Sequence, residues 1–445
     1  MNNTNKPTVI VIVGISGDLS KRKLLPAIGQ IAATGMAPDQ FKIIGVTRKS
    51  NIELDSLLAY TSNKNFIIDN TELFEMDLDD EEDYKRLGSH LEKIEKEFSV
   101  PTQFLFYLSV PPNVSKSIIK LIGKSGLAER ENTKLLLEKP FGTDLNSATE
   151  LVDYINTYFK EKQVYRIDHY LAKETAQNII VFREGNSLFR RTWNKDFIEK
   201  IEITVSEEIG IAGRANFYEQ TGALRDLIQS HLLQLLALTL MEIPEEGHLS
   251  EVSILRYEAL KKINIPQELS LASYAKRGQY KGYREEVGNP NSMVETFASI
   301  DLESQDPNWK GVKINLSTGK AMKDKMTSIK ILYKKDHDNE SNELILRLQP
   351  DEGISFSVWA KRPGYERQVS RHALSFNFKD HYTALPEAYE QVIFNAINGD
   401  HSLFSSNEEV LETWRILDSL QKAWNTSAYD LILYKKGSTF DEITN

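Results

Sequence analysis

One short segment of the sequence concentrates side chains that could bind an anion and move a proton. Residues 166–173 read RIDHYLAK, which places two cations, a carboxylate, an imidazole and a phenol within eight positions. An imidazole accepts a proton near neutral pH, and a carboxylate on its other nitrogen fixes its tautomer. Lysine, histidine and tyrosine can hold a phosphate through charge-assisted hydrogen bonds. A solvated loop could contain the same residues by chance, so the segment alone leaves a structural and a catalytic interpretation open.

A glycine turn near the N-terminus is a second candidate site. Gly14 and Gly17 follow the apolar run Thr8–Val13 and precede a helical pattern. Glycine lets the backbone approach a pyrophosphate, and a helix N-terminus supplies free N–H groups and positive potential. The full G-x-G-x-x-G is absent, so the prediction of a nucleotide site rests on the strand–turn–helix context. We assign Asp18 and Leu19, where the helix begins, to the same site.

The residues after the second apolar run, Phe41–Val46, predict which dinucleotide binds. They are Thr47, Arg48 and Lys49. A site for NAD would place an acidic residue here for the ribose 2′-hydroxyl, whereas a guanidinium suits a 2′-phosphate. An ordinary solvated turn is the alternative interpretation. The sequence therefore predicts NADP as cofactor, with NAD as a weaker alternative.

Continuous apolar runs dominate the first part of the chain. Runs without alternation are typical of strands buried on both faces of a parallel sheet, and helical patterns separate them here. The candidate strands are Thr8–Val13, Phe41–Val46, Gln103–Leu108 and Lys134–Leu137. We predict a Rossmann-type, doubly wound α/β domain over residues 1–175.

The rest of the chain has another pattern. Ala223–Met241 is a long apolar helical stretch, and several later segments alternate apolar and polar residues without intervening helices. The candidate strands are Ile198–Val205, Ser292–Leu302, Val312–Leu316, Thr327–Tyr333, Glu343–Leu348 and Ile354–Trp359, and the closing helices are Tyr389–Ile397 and Asn407–Trp424. We predict an α+β domain over 176–445, with a large, mainly antiparallel sheet covered by helices. RIDHYLAK then lies at the domain junction, where ligand clefts form.

Composition narrows the class of partner. The chain has 445 residues, a formal charge of −10 and no cysteine. An acidic chain argues against nucleic-acid and anionic-membrane partners, and the lack of cysteine removes disulfides and thiolate zinc sites. The N-terminal apolar run is too short for a signal peptide, and nothing approaches the roughly 20 apolar residues of a membrane span. We expect a cytoplasmic protein that binds a small molecule, and we assign no metal site.

Several longer blocks carry a family resemblance. They include GISGDLSKRKLLPAI, LLLEKPFGTDL, RIDHYLAKETAQNI and GRANFYEQTGALRDLIQSHLLQLLAL, followed by RGQYKGYREE and PEAYEQVIFNAINGD. In this order, from residue 9 to 424, the sequence resembles the glucose-6-phosphate dehydrogenase family. RIDHYLxKE is highly specific to that family, whereas the glycine turn and EKP occur more widely among sugar oxidoreductases.

The resemblance implies oxidation of glucose 6-phosphate at C1 to the lactone, with hydride transfer to NADP, the first step of the oxidative pentose phosphate pathway. By the same resemblance, His231 is the general base and Asp168 is the carboxylate that orients it. The two residues are far apart in sequence, so the resemblance, and not their spacing, implies the pair. On an apolar helix a lone histidine is otherwise more often a core residue.

The remaining site residues also come from the resemblance. His169, Tyr170 and Lys173 resemble the phosphate-binding residues of the family. Positions where the family contacts sugar or phosphate are occupied by Lys23, Lys139, Glu207, Asp226, Lys320 and Lys325. Pro140 resembles a proline with a cis peptide bond that sets the cofactor–substrate geometry, and we assign Lys139 and Pro140 to the cofactor side of the site.

Three departures from the family pattern indicate a divergent member. Ala172 replaces the usual glycine, Ser206 stands where lysine is common, and Ser317 stands where arginine is common. The last departure weakens the case for a second, structural NADP. Two alternatives stay open: a related NAD(P)-dependent oxidoreductase acting on another sugar or sugar phosphate, and a non-catalytic NADP-binding regulator. The presence of both Asp168 and His231 argues against the regulator. The resemblance also implies a homodimer or dimer of dimers, formed through the open face of the large sheet.

Overall fold

The computed structural model describes residues 6–48, 52–245, 248–266, 270–335, 340–427 and 430–444. Strands and helices are numbered separately along the chain. The strands are β1 (Thr8–Val13), β2 (Phe41–Thr47), β3 (Thr71–Glu75), β4 (Gln103–Leu108), β5 (Thr133–Leu137), β6 (Val164–Ile167), β7 (Ile198–Ser206), β8 (Ile263–Asn264), β9 (Ala275–Tyr280), β10 (Phe297–Ser304), β11 (Lys313–Gly319), β12 (Met326–Tyr333), β13 (Glu343–Gln349), β14 (Gly353–Lys361), β15 (Val369–Asn377), β16 (Phe404–Ser405) and β17 (Leu431–Tyr434).

The helices cover both sheets. The α-helices are α1 (Leu25–Ala33), α2 (Lys64–Asn70), α3 (Glu81–Phe98), α4 (Pro112–Lys124), α5 (Leu145–Asn156), α6 (Glu174–Gly185), α7 (Ser187–Thr192), α8 (Ala215–Ala223), α9 (Leu233–Leu240), α10 (Val252–Leu260), α11 (Leu271–Tyr274), α12 (Tyr283–Val287), α13 (Ala388–Asn398), α14 (Asn407–Thr426) and α15 (Phe440–Thr444). Ser20–Leu24 and Leu224–Leu232 are π-helical. Short 3₁₀ turns cover Leu54–Leu57, Leu127–Glu129, Glu161–Gln163, Leu249–Glu251 and Phe378–Asp380. No helix in the described ranges is both long and apolar enough to cross a membrane.

The first sheet has the Rossmann-type architecture predicted from the sequence. Its strand order is β16-β6-β5-β4-β1-β2-β3, and β1 to β6 run parallel. Every residue of β1 and β4 is buried, as expected for strands covered by helices on both faces. The sequence did not indicate β3, an edge strand with no buried residue, or β6, which has only four residues.

The second sheet confirms the predicted large, mainly antiparallel architecture. Its order is β15-β14-β13-β12-β7-β11-β10-β9-β17, with β8 added beside β10. The pairs β7–β11 and β9–β17 are parallel. The strand predicted at Ser292–Leu302 begins five residues later, at Phe297 (297 − 292), because Ser292 closes a turn by donating its backbone N–H to Asn289.

A backbone break shapes the long apolar helix predicted at Ala223–Met241. Gly222 has φ +66° and ψ 175°, which separates α8 from the helix that follows. That helix begins as the π-helical segment Leu224–Leu232 and continues as α9. Hydrophobic periodicity predicts the helix but not the π-helical form of its first part.

The C-terminal part of the chain returns to the first sheet. β16 pairs antiparallel with β6, joining Phe404 to Ile167. Val392 and Ile393 of α13 pack in the same core cluster as residues of β1 and β2. The expected division into 1–175 and 176–445 stays a prediction, and α13 and β16 tie the two parts together.

Candidate active site

A buried histidine–carboxylate pair lies at the junction of the two sheets. Asp168 directly follows β6, and His231 lies on the π-helical segment. The His231 Nδ1–H donates to Asp168 Oδ1 at 2.6 Å, and Asp168 Oδ1 also accepts the Tyr170 backbone N–H at 2.9 Å. Both side chains are almost fully buried. The structure therefore brings together the two residues that only the resemblance had paired.

The surroundings set the charges of this pair. Burial lowers the pKa of the His231 imidazole below its usual value, and Asp168 opposes that effect only in part. Burial alone would raise the pKa of Asp168, but the charge and hydrogen bond of His231 bring it well below its ordinary range. The arrangement favours an ionised carboxylate beside a neutral imidazole near neutral pH, which is the resting state of a general base.

Lys139 contacts the other nitrogen of His231. Its Nζ lies 2.6 Å from His231 Nε2 and donates to the backbone oxygen of Asp226 at 2.7 Å. Lys139 is two residues beyond β5, and its peptide bond to Pro140 is cis. The sequence assigned Lys139 to the cofactor, whereas the structure places it against the histidine; its ligand contact stays a prediction.

Two aromatic rings enclose the imidazole. The Tyr170 ring stacks on His231 with centroids 4.1 Å apart, and the His169 ring meets it edge-on at 4.7 Å. Burial raises the pKa of Tyr170 and lowers that of His169, so both rings are neutral near neutral pH. The two rings hold the orientation of His231. Their contact with a phosphate stays a prediction.

The parallel pairing of β7 and β11 brings together Glu207 and Lys320, which with Asp226 form a second group of polar side chains. β7 and β11 end side by side, with Ser206 opposite Gly319, so the next residues of both strands, Glu207 and Lys320, are neighbours. Lys320 pairs with Glu207 and lies 3.7 Å from Asp226 Oδ2. Burial alone would raise the pKa of Asp226, but Lys139 and Lys320 lower it. Carboxylates held ionised in this way can accept hydrogen bonds from sugar hydroxyls.

Three lysines, here called the lysine cluster (Lys23, Lys173 and Lys325), are close enough for their charges to interact. Burial lowers the pKa of Lys173, and the charges of Lys325 and Lys23 act in the same direction. Glu352 and Glu387 oppose this effect. The structure thus brings together lysines from three distant parts of the sequence, as an anion site requires.

The glycine turn lies at the carboxyl edge of the first sheet. Gly14 has φ +90°, and a Cβ there would lie 2.6 Å from the Ser109 backbone oxygen, so the position requires glycine. The Gly17 N–H donates to the Gly14 oxygen at 2.9 Å, and Asp18 and Leu19 open the helix. This close-packed turn before a helix N-terminus fits the backbone cradle that a dinucleotide pyrophosphate needs.

The end of β2 carries the residue predicted to recognise a 2′-phosphate. Arg48 is exposed directly after β2, on the same edge as the glycine turn. A guanidinium at this edge fits a phosphorylated ribose. Lys49, named with it from the sequence, lies outside the described residues.

The structure adds a half-buried acid that sequence reasoning missed. Glu138 lies between β5 and Lys139, and its carboxyl group accepts hydrogen bonds from Tyr107, at 2.5 Å, and Tyr389. Burial raises the pKa of Glu138. The Tyr389 ring lies parallel to that of His169, 6.4 Å away. A charged residue directly after the three consecutive leucines that end β5 was the available signal.

Arg166, the first cation of RIDHYLAK, has a partner within the fold: it is buried and pairs with Glu161 at 2.9 Å. No group of three or more potential ligand residues in the described ranges is arranged to hold a metal ion.

Comparison with known proteins identifies the family. Residues 11–178 match the model "Glucose-6-phosphate dehydrogenase, NAD binding domain", and residues 180–442 match "Glucose-6-phosphate dehydrogenase, C-terminal domain". Glucose-6-phosphate 1-dehydrogenase of Chlamydia muridarum is 36% identical over 463 aligned positions, covering 94% of this chain and 90% of the relative.

Two solved structures extend the similarity. A glucose-6-phosphate dehydrogenase in complex with glucose 6-phosphate superposes with a TM-score of 0.90 at 30% identity, covering 97% of this chain and 95% of the other. Glucose-6-phosphate 1-dehydrogenase from Mycobacterium avium gives 0.83 at 28% identity, covering 97% and 94%. The chain therefore belongs to the glucose-6-phosphate dehydrogenase family.

Proposed function

We propose that this protein oxidises glucose 6-phosphate at C1 to 6-phosphogluconolactone, with NADP as hydride acceptor, in the first step of the oxidative pentose phosphate pathway. The observation that carries the proposal is the buried His231–Asp168 pair. Lys139 contacts both His231 and Asp226, and Lys173 Nζ lies 5.9 Å from the centroid of the Tyr170 ring that stacks on His231. The family membership and the relative solved with glucose 6-phosphate support the same reaction.

His231 is the proposed general base. Oxidation at C1 requires loss of the hydroxyl proton as the hydride leaves carbon, and a neutral imidazole can accept that proton at Nε2. Asp168 holds Nδ1–H and stabilises the imidazolium that forms. A positioned base of this kind contributes roughly 10²–10⁴-fold to the rate. Lys139 occupies Nε2 in the free protein, so the substrate hydroxyl must take its place.

Substrate binding is assigned to the two polar groups beside the base. The lysine cluster, with His169 and Tyr170, binds the phosphate through charge-assisted hydrogen bonds. Glu207, Asp226 and Lys320 bind sugar hydroxyls. Because the phosphate is remote from C1, its binding energy helps to hold C1 at the base without taking part in the chemistry.

The cofactor proposal rests on the carboxyl edge of the first sheet. The turn at Gly14 and Gly17, with Asp18 and Leu19, would hold the pyrophosphate, and Arg48 the 2′-phosphate. Lys139 and Pro140 would face the cofactor next to the substrate. The bound nicotinamide supplies the hydride acceptor. The absence of an acidic residue at positions 47–49 favours NADP over NAD.

We also propose a homodimer, or a dimer of dimers, formed through the open face of the large sheet, and a cytoplasmic location. The open face carries polar and partly exposed residues such as Lys200, Lys330 and Ile345. The lack of cysteine suits a reducing compartment.

A substrate and cofactor assay tests the proposal. The purified protein is given glucose 6-phosphate or glucose, each with NADP or NAD, and absorbance of the reduced cofactor is followed. We expect turnover of the phosphate far above that of glucose, with a higher kcat/KM for NADP than for NAD. Absence of glucose 6-phosphate turnover with either cofactor would contradict the proposed reaction, and a preference for NAD would contradict the role of Arg48.

A further inference from the structure

Two carboxylates act on the lysine cluster. Lys23 Nζ lies 2.8 Å from Glu387 Oε2, although the two residues are 364 positions apart. Lys173 lies within the electrostatic influence of both Glu387 and Glu352. A site that must bind a phosphate dianion therefore already holds two anionic side chains.

Both carboxylates accept a backbone N–H, but they differ in exposure, since Glu352 is half-buried and Glu387 is exposed. Glu352 accepts the Thr175 backbone N–H at 2.7 Å, at the first turn of α6, and this bond fixes it in the fold. Glu387 precedes α13, and 66% of its side chain is exposed, as is 45% of Lys23. Water and ligands therefore reach the Lys23–Glu387 pair from outside, and a competing anion can replace Glu387 on Lys23.

We propose that Glu387 is a specificity-determining residue of the phosphate site, where its carboxylate occupies Lys23 until the substrate phosphate displaces it. The inference rests on the proposed function, because it takes the lysine cluster as the phosphate site. A phosphate dianion carries more charge and more acceptor oxygens than a carboxylate, so it wins the exchange. A neutral sugar offers no anion to exchange. Glu387 thus weakens phosphate binding moderately. A ligand reaches Lys23 only if it carries enough negative charge to displace this carboxylate.

A conservative substitution can remove the charge of Glu387 without removing its structural contact. The Glu387 side chain accepts the Glu390 backbone N–H, and the Glu387 N–H donates to Glu390 Oε1 at 3.2 Å, forming a capping box at α13. Glutamine keeps an oxygen that accepts the same hydrogen bond. Glu387→Gln therefore tests the charge and leaves the helix cap in place.

Another ion pair in the chain provides a matched control. Glu82 and Lys85 on α3 lie 2.7 Å apart, with 75% and 54% of their side chains exposed, close to the values for Glu387 and Lys23. Glu82→Gln changes the net charge by the same amount at a place outside the lysine cluster. It therefore separates a local effect on phosphate binding from a general effect of net charge.

The experiment is a calorimetric titration of the wild type, Glu387→Gln and Glu82→Gln with inorganic phosphate, at low and moderate ionic strength. We expect Glu387→Gln to bind phosphate about threefold more tightly, since an exposed ion pair is weak and its loss leaves Lys23 available to the phosphate. The gain should shrink as salt rises, and Glu82→Gln should match the wild type. Equal affinity in Glu387→Gln and wild type, or an equal gain in both variants, would overturn the proposal.

A double-substitution cycle identifies the partner of Glu387. In a Lys23→Gln background, Glu387→Gln should no longer change phosphate affinity, because the cation for which it competes is gone. A gain that persists in that background would overturn the proposed exchange on Lys23.

Phosphate titration needs no turnover, so the proposed function and the role of Glu387 can fail separately. The expected affinities without glucose 6-phosphate oxidation would contradict only the proposed function, and oxidation with unchanged affinities would contradict only the role of Glu387.

Discussion

At the scale of single residues, His231 is held through both ring nitrogens by groups of opposite charge. Burial, which is the largest effect, and Lys139 disfavour the protonated imidazole, and together they outweigh Asp168, which favours it. The result is a base that is neutral near neutral pH and has a fixed tautomer. The ring contacts with Tyr170 and His169 leave it little freedom to rotate.

The first prediction concerns this base. His231→Asn should lower kcat by roughly 10²–10⁴-fold or more, because no neutral imidazole remains to accept the hydroxyl proton. The dissociation constant for glucose 6-phosphate, measured by calorimetry, should change little. Lys173→Ala is the contrasting variant and should mainly raise KM, because it removes a phosphate contact. Similar losses of binding in both variants would contradict this division of roles.

Sequence reasoning located the site residues unevenly. The segment RIDHYLAK identified Asp168 as a chemical group, but nothing in the spacing indicated that its partner would be His231. The pair depends on the fold bringing the end of β6 to the π-helical segment, and that is a long-range packing result. Lys139 was associated with the cofactor because of its EKP context. Its contact with His231 is made by the fold, between residues 92 positions apart.

At the scale of elements, the start of the π-helical segment is fixed by a buried acid. The Ala223 N–H donates to the Glu295 backbone oxygen at 2.9 Å, and the Leu224 N–H donates to Glu295 Oε1 at 3.0 Å. Gly222 allows this contact, because a Cβ there would lie 2.4 Å from Glu295 Oε1. Asp226 and His231 both lie on the helix that begins here, so Glu295 positions the site indirectly.

The second prediction is that Gly222→Ala is costly. The added methyl group would displace Glu295, and the positive φ adds backbone strain, so we expect the free energy of unfolding to fall by about 3 kcal/mol or more. Gly213→Ala is the control: φ is +76° there, and a Cβ would meet no atom within 4 Å. That variant should lose only about 1–2 kcal/mol from backbone strain. Denaturant unfolding and kcat should be measured for both; equal losses of stability would contradict the steric role of Glu295.

Strands were predictable only where their burial follows a simple pattern. β1 and β4 are buried throughout, and a continuous apolar run indicates them directly. β15 has no buried residue, so it has no alternation to detect. β9, with the sequence AKRGQY, is largely buried although polar, because distant partners satisfy it; Arg277, for example, bonds to Asp430 at 2.6 Å. Such partners cannot be recognised from a local window.

At the scale of the whole molecule, the open face of the large sheet carries a row of alternating charges. Lys200 lies 2.6 Å from Glu202, Lys330 lies 3.1 Å from Glu343, and Glu343 also pairs with Arg371. Ile345 is directly opposite Lys330 on the neighbouring strand. The face is thus largely neutralised within the chain, which lowers the electrostatic cost of covering it with a second copy.

The third prediction follows from that face. Light scattering should give a mass of about twice 50.8 kDa, or a multiple of this dimer. Ile345→Lys, which adds a charge to the open face, should shift the population towards monomer. Val181→Lys, at an exposed position on α6, is the control and should leave the mass unchanged. A wild-type protein that is monomeric at all concentrations would contradict dimerisation.

The antiparallel strand β16 has a consequence for how the chain is made. The outer edge of β6 pairs only with β16, which consists of Phe404 and Ser405. During synthesis, the outer edge of β6 therefore stays unpaired until Phe404 and Ser405 have been made. Such edges attract other extended chains, and covering them late leaves the nascent protein open to wrong pairing. The same late segment includes Glu387 and α13, so a prematurely terminated chain that lacks them would lose both the outer strand of the first sheet and the carboxylate partner of Lys23.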